Sequence, residues 1–375
     1  MSVQGTGSVQ IVEFGAGTLR FLDQLPAQAP REGFVWIYLE REHLEQDLPV
    51  LQRAAQALGG SPLLDLHVKD LGNRGHPSSY DYTSVYDLVI FRRLATETEV
   101  GAEIGAAAVG KQAPLAAFSR IRTRALGFVV FDRLLITVHP AGCFAARAFI
   151  ERYLQDALYS EGLSASARSR LPASSADLML RMLNLVVDSY LELRKVLSTE
   201  LDQWQQALLA PHNAGAADWG ALMTARNALH MLQDLCEEQN DAMQEWLDSQ
   251  REQPPPWMSQ AERDGLLARA RDVVEHVERV VHHVNRMEQS AETAVQIHFS
   301  AVGNRTNDIM RTLTALTAIF LPLNLIAGIF GMNFELLPLT HQAAGFWWTL
   351  GAMGAIAVGL GIVFWRKRYL ARTGH

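Results

Sequence analysis

The stretch FLPLNLIAGIFGMNFELLPL, residues 320 to 339, decides how this chain is built. It closes an apolar run in which the 23 residues between Arg311 and Glu335 have no formal charge. As a helix, that run would be roughly 35 Å long, enough to cross a hydrocarbon core of about 30 Å. A second apolar stretch follows from Phe346 to Trp365. We therefore predict two membrane spans joined by a short loop.

The positions of the cations predict how this hairpin is oriented. Arg305 and Arg311 precede the first span and four cations lie in the last ten residues, while the loop between the spans has no Lys or Arg. By the positive-inside tendency, both termini face the cytoplasm of an inner (plasma) membrane. The N-terminal residues have neither a basic leader nor an apolar core, so we expect no signal peptide.

The composition narrows the function classes. The 375 residues are 49% apolar and have a net charge of −7, although the C-terminal tail is basic. An acidic soluble part is a poor partner for nucleic acid, and none is expected. The two cysteines, Cys143 and Cys236, lie outside any metal-ligand spacing and are expected to be buried or idle thiols in a reducing cytosol. The chain has no GxGxxG, P-loop, HExxH or GxSxG motif, so we expect neither an enzyme nor a bound cofactor.

The first 140 residues alternate β-rich runs with helical ones, which predicts an α/β domain. Residues 40–58 have the pattern of an amphipathic helix. Strands or strand pairs are predicted at 33–40, 63–71, 82–95 and 124–139. Three helical blocks are then predicted at 143–159, 174–209 and 217–251.

A stalk helix, defined here as residues 258–311, is predicted to run without a break into the first span. Its apolar residues recur in alternating steps of four and three, which is typical of a coiled-coil seam. The alternative, that this stripe packs on the 217–251 helix of its own chain, stays open. The stripe consists of Leu266, Ala270, Val273, Val277, Val280, Val284, Met287, Ala291 and Ala294.

One face of the first span is more polar than a lipid-facing helix would be. An Asn in hydrocarbon is costly unless it meets another helix or water, so Asn324 and Thr317 either hold helices together or line a water-filled path. A single hairpin cannot enclose such a path, so a pore requires several copies around one axis. The candidate pore-lining residues share this face: Asn307, Met310, Leu313, Thr317, Leu321 and Asn324.

In a ring of copies, these residues would have distinct roles. Met310 and Leu313 would form an apolar constriction that closes by losing its water, and Asn324 a ring of amide oxygens. Gly331 is expected to end the helix, and Asn333 would place carboxamides at the outer mouth. Mg²⁺ loses its water shell reluctantly, so neutral oxygens could bind those waters without removing them.

The segment NRTNDIMRTLTALTAIFLPLNLIAGIFGMNFELLP, residues 304 to 338, followed by a second span and FWRKRYL, resembles the C-terminal signature of the CorA family of divalent-cation channels. The resemblance implies a funnel-shaped homopentamer with an α/β cytosolic domain and a long pore-lining helix. It also implies passive Mg²⁺ entry down the membrane potential, with Co²⁺ or Ni²⁺ passing too. By position, Gly331, Met332 and Asn333 would form the selectivity filter, with Asn333 contacting the hydrated cation through its outer shell.

Two positions depart from the family pattern. Leu339 follows Pro338, where magnesium-type members often have an acid, so the loop is less suited to concentrating cations. Gln296 stands where some members have an aspartate that senses intracellular Mg²⁺. The second departure puts metal-dependent closure by the Gln296 site in doubt.

Two alternatives to a magnesium channel remain. A zinc transporter of the same architecture would need ligands, but His282 and His283 point to different faces of a helix and, with His298, are expected to be solvated. The motif GMNFE favours the magnesium branch. A non-conducting, membrane-anchored coiled-coil protein would gain nothing from amides at membrane depth.

These arguments divide the chain into seven segments. We predict a cytosolic α/β domain (1–142), a cytosolic helical region (143–257), the stalk helix (258–311), a pore-lining transmembrane helix (312–334), an external loop (335–345), a second transmembrane helix (346–365) and a basic tail (366–375).

Overall fold

A computed structural model of the chain describes residues 9–15, 18–95, 115–119, 121–143, 171–209, 219–253, 258–332 and 343–366. The chain divides into two compact units. The first consists of Met1–Asp202 and Trp219–Ala291, and the second of Gln203–Asp218 and Glu292–His375.

The first unit contains a seven-stranded mixed sheet with the order β2-β1-β3-β7-β6-β5-β4. Strands β3 and β7 pair in parallel, whereas the other neighbours are antiparallel. The strands are β1 (Val9–Gly15), β2 (Thr18–Leu22), β3 (Phe34–Glu40), β4 (Ser79–Tyr82), β5 (Asp87–Leu94), β6 (Thr123–Val130) and β7 (Leu134–His139).

Strand β3 shows why the centre of this sheet is stable. Its sequence FVWIYLE is apolar at nearly every position, and Phe34 to Leu39 are all buried. A strand covered on both faces has this continuous apolar pattern. Gly33, just before the strand, has a φ of +94°, and a Cβ there would lie 1.9 Å from the carbonyl oxygen of Phe14 on β1. Glycine is therefore required where β3 begins.

One face of the sheet packs on a short helical layer. Helix α1 (Leu44–Ala54) continues into a π-helical turn (Ala55–Gly59), and α2 (Asp65–Gly72) follows. Leu51, Leu58 and Leu71 from this layer join Ile37 and Ile136 of the sheet in one buried cluster. The short helix α3 (Ala116–Ser119) precedes β6.

The prediction of a strand at 63–71 is wrong, because most of this segment forms the helix α2. The alternation of apolar residues suggested a strand, but Leu64 and Leu66 are exposed, while His67 and Leu71, four residues apart, are buried. Burial at a spacing of four is the helical period. The observed contacts with the sheet therefore follow the helical face and not the alternation.

Long helices make up the rest of the described chain. They are α4 (Ser175–Leu209), α5 (Trp219–Glu252), α6 (Gln260–Phe330) and α7 (Ala343–Arg366). Helix α6 has 71 residues, which corresponds to a length of roughly 105 Å. The prediction of an uninterrupted helix that includes the first apolar run is confirmed.

The apolar stripe of α6 is buried within its own chain. Every residue of the stripe from Leu266 to Ala294 is less than a tenth exposed. Tyr190 of α4, Leu232 of α5 and Val284 of α6 line one small cavity, so the three helices pack together. The stripe is therefore an intrachain seam, as the alternative interpretation of the sequence proposed.

Much of the predicted fold class is confirmed: an α/β domain, long helices after it, and a long helix that becomes the first of two apolar C-terminal helices. The segment boundaries stay a prediction. Apart from Cys143, the proposed helix at 143–159 lies outside the residues that the structure describes.

Candidate functional site

Two helices of the second unit are long and apolar enough to cross a membrane: the end of α6, and Gly345–Arg366 of α7. In the single chain, most of their side chains are exposed. Exposed apolar surface of this extent requires lipid or further protein around it. These two helices therefore contain the candidate site.

One side of the apolar part of α6 is covered within the chain. Ala315 is completely buried, and its neighbours at helical spacing are partly covered. At about 100° of rotation around the helix axis per residue, these positions lie on one side of the helix. The partly covered neighbours are Ala318, Ile319, Pro322, Leu323 and Ile326.

The predicted pore-lining residues lie on the opposite side of the helix. All six are exposed, with Met310 at 60%, Leu313 at 62% and Leu321 at 69%. They span a face roughly 120° wide, centred about 160° from the covered side. The structure thus places Asn307 and Asn324 among the exposed positions of this helix, on the side opposite the covered one.

Along the helix axis these six residues are spread over about 25 Å. They line up on one helix, so within one chain they enclose nothing. Thr317 donates its hydroxyl proton to the carbonyl oxygen of Leu313 at 2.8 Å. This bond satisfies the hydroxyl donor inside the apolar segment and leaves the oxygen free to accept another hydrogen bond.

The helix ends where the tripeptide begins. Helix α6 stops at Phe330, and the amide of Gly331 donates to the carbonyl oxygen of Ala327 at 2.9 Å. A Cβ on Gly331 would lie 2.9 Å from that same oxygen, so glycine is favoured here because the backbone packs closely. Met332 is half exposed. Asn333, the predicted filter residue, lies outside the described residues.

Pro322 sits inside α6 without ending it. Proline has no amide hydrogen, so the carbonyl of Ala318, four residues earlier, loses its helical partner. That carbonyl belongs to the covered side. A proline inside a helix can loosen the helix locally in this way.

The histidines do not form a metal site in the described part of the chain. His282 is exposed, whereas His283 contacts Arg194 of α4, so the expectation that both are solvated is wrong for His283. Partial burial lowers the pKa of His283, and Arg194 with the other cations nearby lowers it further. Among the described residues, no group of three His, Cys, Asp or Glu side chains could hold a metal ion.

Sequence reasoning missed one polar side chain on the free face. Thr314 lies four residues after Met310 and three before Thr317, so it falls within the same arc of the helix. It is exposed. The helical spacing that selected the other six residues would have found it.

A family model described as CorA-like Mg²⁺ transporter protein matches residues 31–368. The chain belongs to the CorA family. The match covers the α/β domain from β3 onward and the two apolar helices, so the family assignment applies to most of the chain.

Curated relatives match this CorA-family chain over a short segment. The cobalt/magnesium transport protein CorA of Thermotoga maritima is 37% identical over 100 residues, which are 27% of this chain and 28% of that protein. The magnesium transport protein CorA of Haemophilus influenzae is 30% identical over 104 residues, 28% of this chain and 33% of the relative. The matched segments thus span a third or less of these relatives.

Solved structures share the fold over most of the chain. The CorA magnesium transporter from Methanocaldococcus jannaschii has a TM-score of 0.70 at 18% identity and covers 95% of this chain and 97% of its own. The full-length CmaX protein has a TM-score of 0.64 at 16% identity, with 96% and 97% covered. The CorA-type architecture, an α/β domain followed by a long helix and two apolar C-terminal helices, is therefore shared.

Proposed function

We propose that the chain forms a channel for hydrated divalent cations in the inner (plasma) membrane, with Mg²⁺ as the main cargo and Co²⁺ or Ni²⁺ as further ions. One observation supports this most directly: the polar face of the apolar segment of α6 is exposed in the single chain and lies opposite the covered side of the helix. A helix that only anchored a protein would turn its amides inward or lack them.

The path requires several copies of the chain. One hairpin has no interior, so the free faces of α6 must meet around a shared axis for Asn307 and Asn324 to contact water. We propose a homopentamer with a funnel shape and with both termini in the cytoplasm. Membership of the CorA family supports this assembly.

In this assembly, cations pass with their water attached. Mg²⁺ holds its waters in octahedral geometry at about 2.0–2.1 Å and gives them up reluctantly. The hydrogens of that shell point outward, so amide oxygens of Asn333 and Asn324 can bind it without contacting the metal. A divalent cation moving inward gains about 4.6 kcal/mol per 100 mV of membrane potential, which drives uptake without another energy source.

Met310 and Leu313 form the proposed gate. Both side chains lie on the free face near the cytoplasmic end of the span and offer no hydrogen bonds. A ring of such residues expels water when it narrows, and a hydrated cation cannot then pass. Small movements of the stalk helix would open it.

The cargo is proposed from chemistry and from the names of relatives. Neutral oxygens favour an ion that keeps its water shell, and the Thermotoga and Haemophilus relatives are named for magnesium, the former also for cobalt. Zn²⁺ prefers Cys and His ligands, and the polar face has neither.

Flux measurements on the purified full chain in liposomes test this proposal. Wild type, Asn333→Ala and a matched Asn304→Ala control, whose side chain lies off the polar face, are compared with dyes for Mg²⁺ and for Zn²⁺. We expect Mg²⁺ flux in wild type and in Asn304→Ala, and a flux at least tenfold lower, or without selectivity, in Asn333→Ala. Equal flux in all three would remove Asn333 from the filter. Flux of Zn²⁺ alone would make the chain a zinc transporter, and no flux in any would leave a membrane anchor.

A further inference from the structure

Thr314 lies between the two residues of the proposed gate and the next polar position. It follows Leu313 directly and precedes Thr317 by less than one turn. Its direction from the helix axis lies within the arc that runs from Leu313 to Asn307. It is about 40° from the middle of that arc, closer than Leu313 or Asn307, which lie at its two ends.

Its hydroxyl group already has a partner for the proton. Thr314 Oγ1 donates to the carbonyl oxygen of Met310 at 2.7 Å. A hydroxyl has one proton and two acceptor lone pairs. Because the proton of Thr314 is already donated, its oxygen can only accept hydrogen bonds from a neighbouring group. Thr317, which donates to Leu313 at 2.8 Å, has the same arrangement.

The two threonines are spaced to match a hydrated cation. Three residues along a helix correspond to about 4.5 Å, while a hydrated Mg²⁺ is roughly 7 Å across. Waters on one ion can therefore reach both oxygens at once. Each threonine oxygen only accepts hydrogen bonds, which suits the water shell of a cation, because the hydrogens of that shell all point outward.

We propose that Thr314 is a further residue of the ion path, which with Thr317 supplies a two-layer set of hydrogen-bond acceptors next to the apolar gate for the water shell of a divalent cation. This rests on the proposed function. It means that a hydrated ion moving inward contacts acceptors until it enters the ring of Leu313 and Met310, so the dry part of the path is short.

A comparison of threonine variants tests the role of the hydroxyl. Thr314→Val keeps the shape and removes the acceptor, Thr314→Ser keeps the acceptor, and Thr312→Val is the matched control. Thr312 is exposed and makes the same kind of bond, to Asp308 at 2.9 Å, but faces about 160° away. We expect Mg²⁺ flux in liposomes to fall roughly three- to tenfold in Thr314→Val and to stay near wild type in Thr314→Ser and Thr312→Val.

Two flux results would overturn the inference. An unchanged or higher flux in Thr314→Val would show that the hydroxyl does not serve the ion. An equal loss in Thr314→Val and Thr312→Val would assign the effect to the helix backbone bond that both residues make.

Thiol labelling tests the position independently of transport. In liposomes, a charged thiol reagent that does not enter lipid should modify Thr314→Cys and leave Thr312→Cys unmodified. Wild type is a suitable blank because Cys143 and Cys236 are both buried, and burial raises the pKa of Cys236 to about 12. Equal labelling of both variants, or of neither, contradicts the inference. Selective labelling in a protein without divalent flux would retain the water-facing position and reject the proposed function.

Discussion

At the scale of single residues, Asp87 is the clearest case of a charge whose behaviour depends on its surroundings. It begins β5, and its carboxylate accepts hydrogen bonds from Trp246 at 3.1 Å, Gln250 at 3.0 Å and Tyr80 at 3.3 Å. Burial, opposed by these bonds and reinforced by nearby Asp132, raises the pKa of Asp87 to about 6. Two of the donors belong to α5, so this carboxylate connects the sheet to that helix.

Asp87 should make the stability of β5 depend on pH. The folded protein binds a proton at Asp87 between the unfolded pKa of 3.8 and the folded value of about 6, so its contribution to stability falls as pH rises through this window. Between about pH 5 and about pH 7.5 we expect a loss on the order of 1 kcal/mol. Asp87→Asn should abolish this change. Hydrogen exchange of β5 amides, corrected for intrinsic rates, measures it.

The exposed Asp241 on α5 offers a matched control for this experiment. Asp241→Asn removes a carboxylate from the same helix without touching the buried cluster. The wild-type pH dependence should persist in that variant. If it disappeared there and survived in Asp87→Asn, the assignment to Asp87 would be wrong.

At the scale of elements, the start of α4 is tied to α6 by one acidic residue. Asp177 is 7% exposed and pairs with Arg269 of α6 at 2.5 Å and with Arg181, one turn along α4, at 3.0 Å. It also accepts from the amide of Ala173 at 3.0 Å, while Ser174 accepts from the amide of Asp177 at 3.1 Å. This reciprocal arrangement caps the helix.

Asp177→Ala should therefore destabilise the first unit. The substitution removes a cap and leaves Arg269 and Arg181 without their shared carboxylate, which we expect to cost about 1–3 kcal/mol of unfolding free energy. Asp248→Ala is the comparison, because its pair with Arg251 at 2.9 Å is exposed and should contribute less than about 1 kcal/mol. Denaturant unfolding of both variants decides the matter. Equal losses would mean that burial does not distinguish the two pairs.

The seam on α6 shows how far an element can be predicted alone. Its spacing in steps of four and three indicated a helix that buries one stripe, and the stripe is buried. Whether it packed on another copy or on its own chain could not follow from the period, since both give the same pattern. The decision depends on α4 and α5, whose Tyr190 and Leu232 reach the stripe beside Val280.

At the scale of the whole molecule, the exposed apolar surface of the second unit leads to a prediction about assembly. Because the free face of α6 contains amides, copies must assemble around it for the pore to exist. Five copies of the 41.6 kDa chain would have a protein mass of about 208 kDa. Native mass spectrometry or light scattering in detergent should give this value. A stable monomer would contradict the pore, and another closed ring would correct the number of subunits.

Several features of this protein could be predicted from consecutive residues alone. The length of the uncharged runs, the unbroken stalk and the polar spacing on α6 are properties of consecutive residues, and helix geometry converts them directly into spans and faces. The central strands β3, β6 and β7 were likewise visible as apolar runs. The roles of the site residues, Asn333 above all, remain proposals because they depend on other copies of the chain.

Contacts between residues distant in sequence decided the other features of the fold. Residues 63–71 alternate like a strand but form a helix because one helical side, with His67 and Leu71, packs on the sheet. Strand β7 lies between β3 and β6 and pairs with β3 across about a hundred residues. The pKa of Asp87 depends on donors more than 150 residues away in sequence. The sequence by itself determined where the long helices lie and which of their sides are apolar, because those follow from neighbours along the chain. Only the tertiary structure decided which residues each side of a helix packs against, because that depends on contacts between residues distant in sequence.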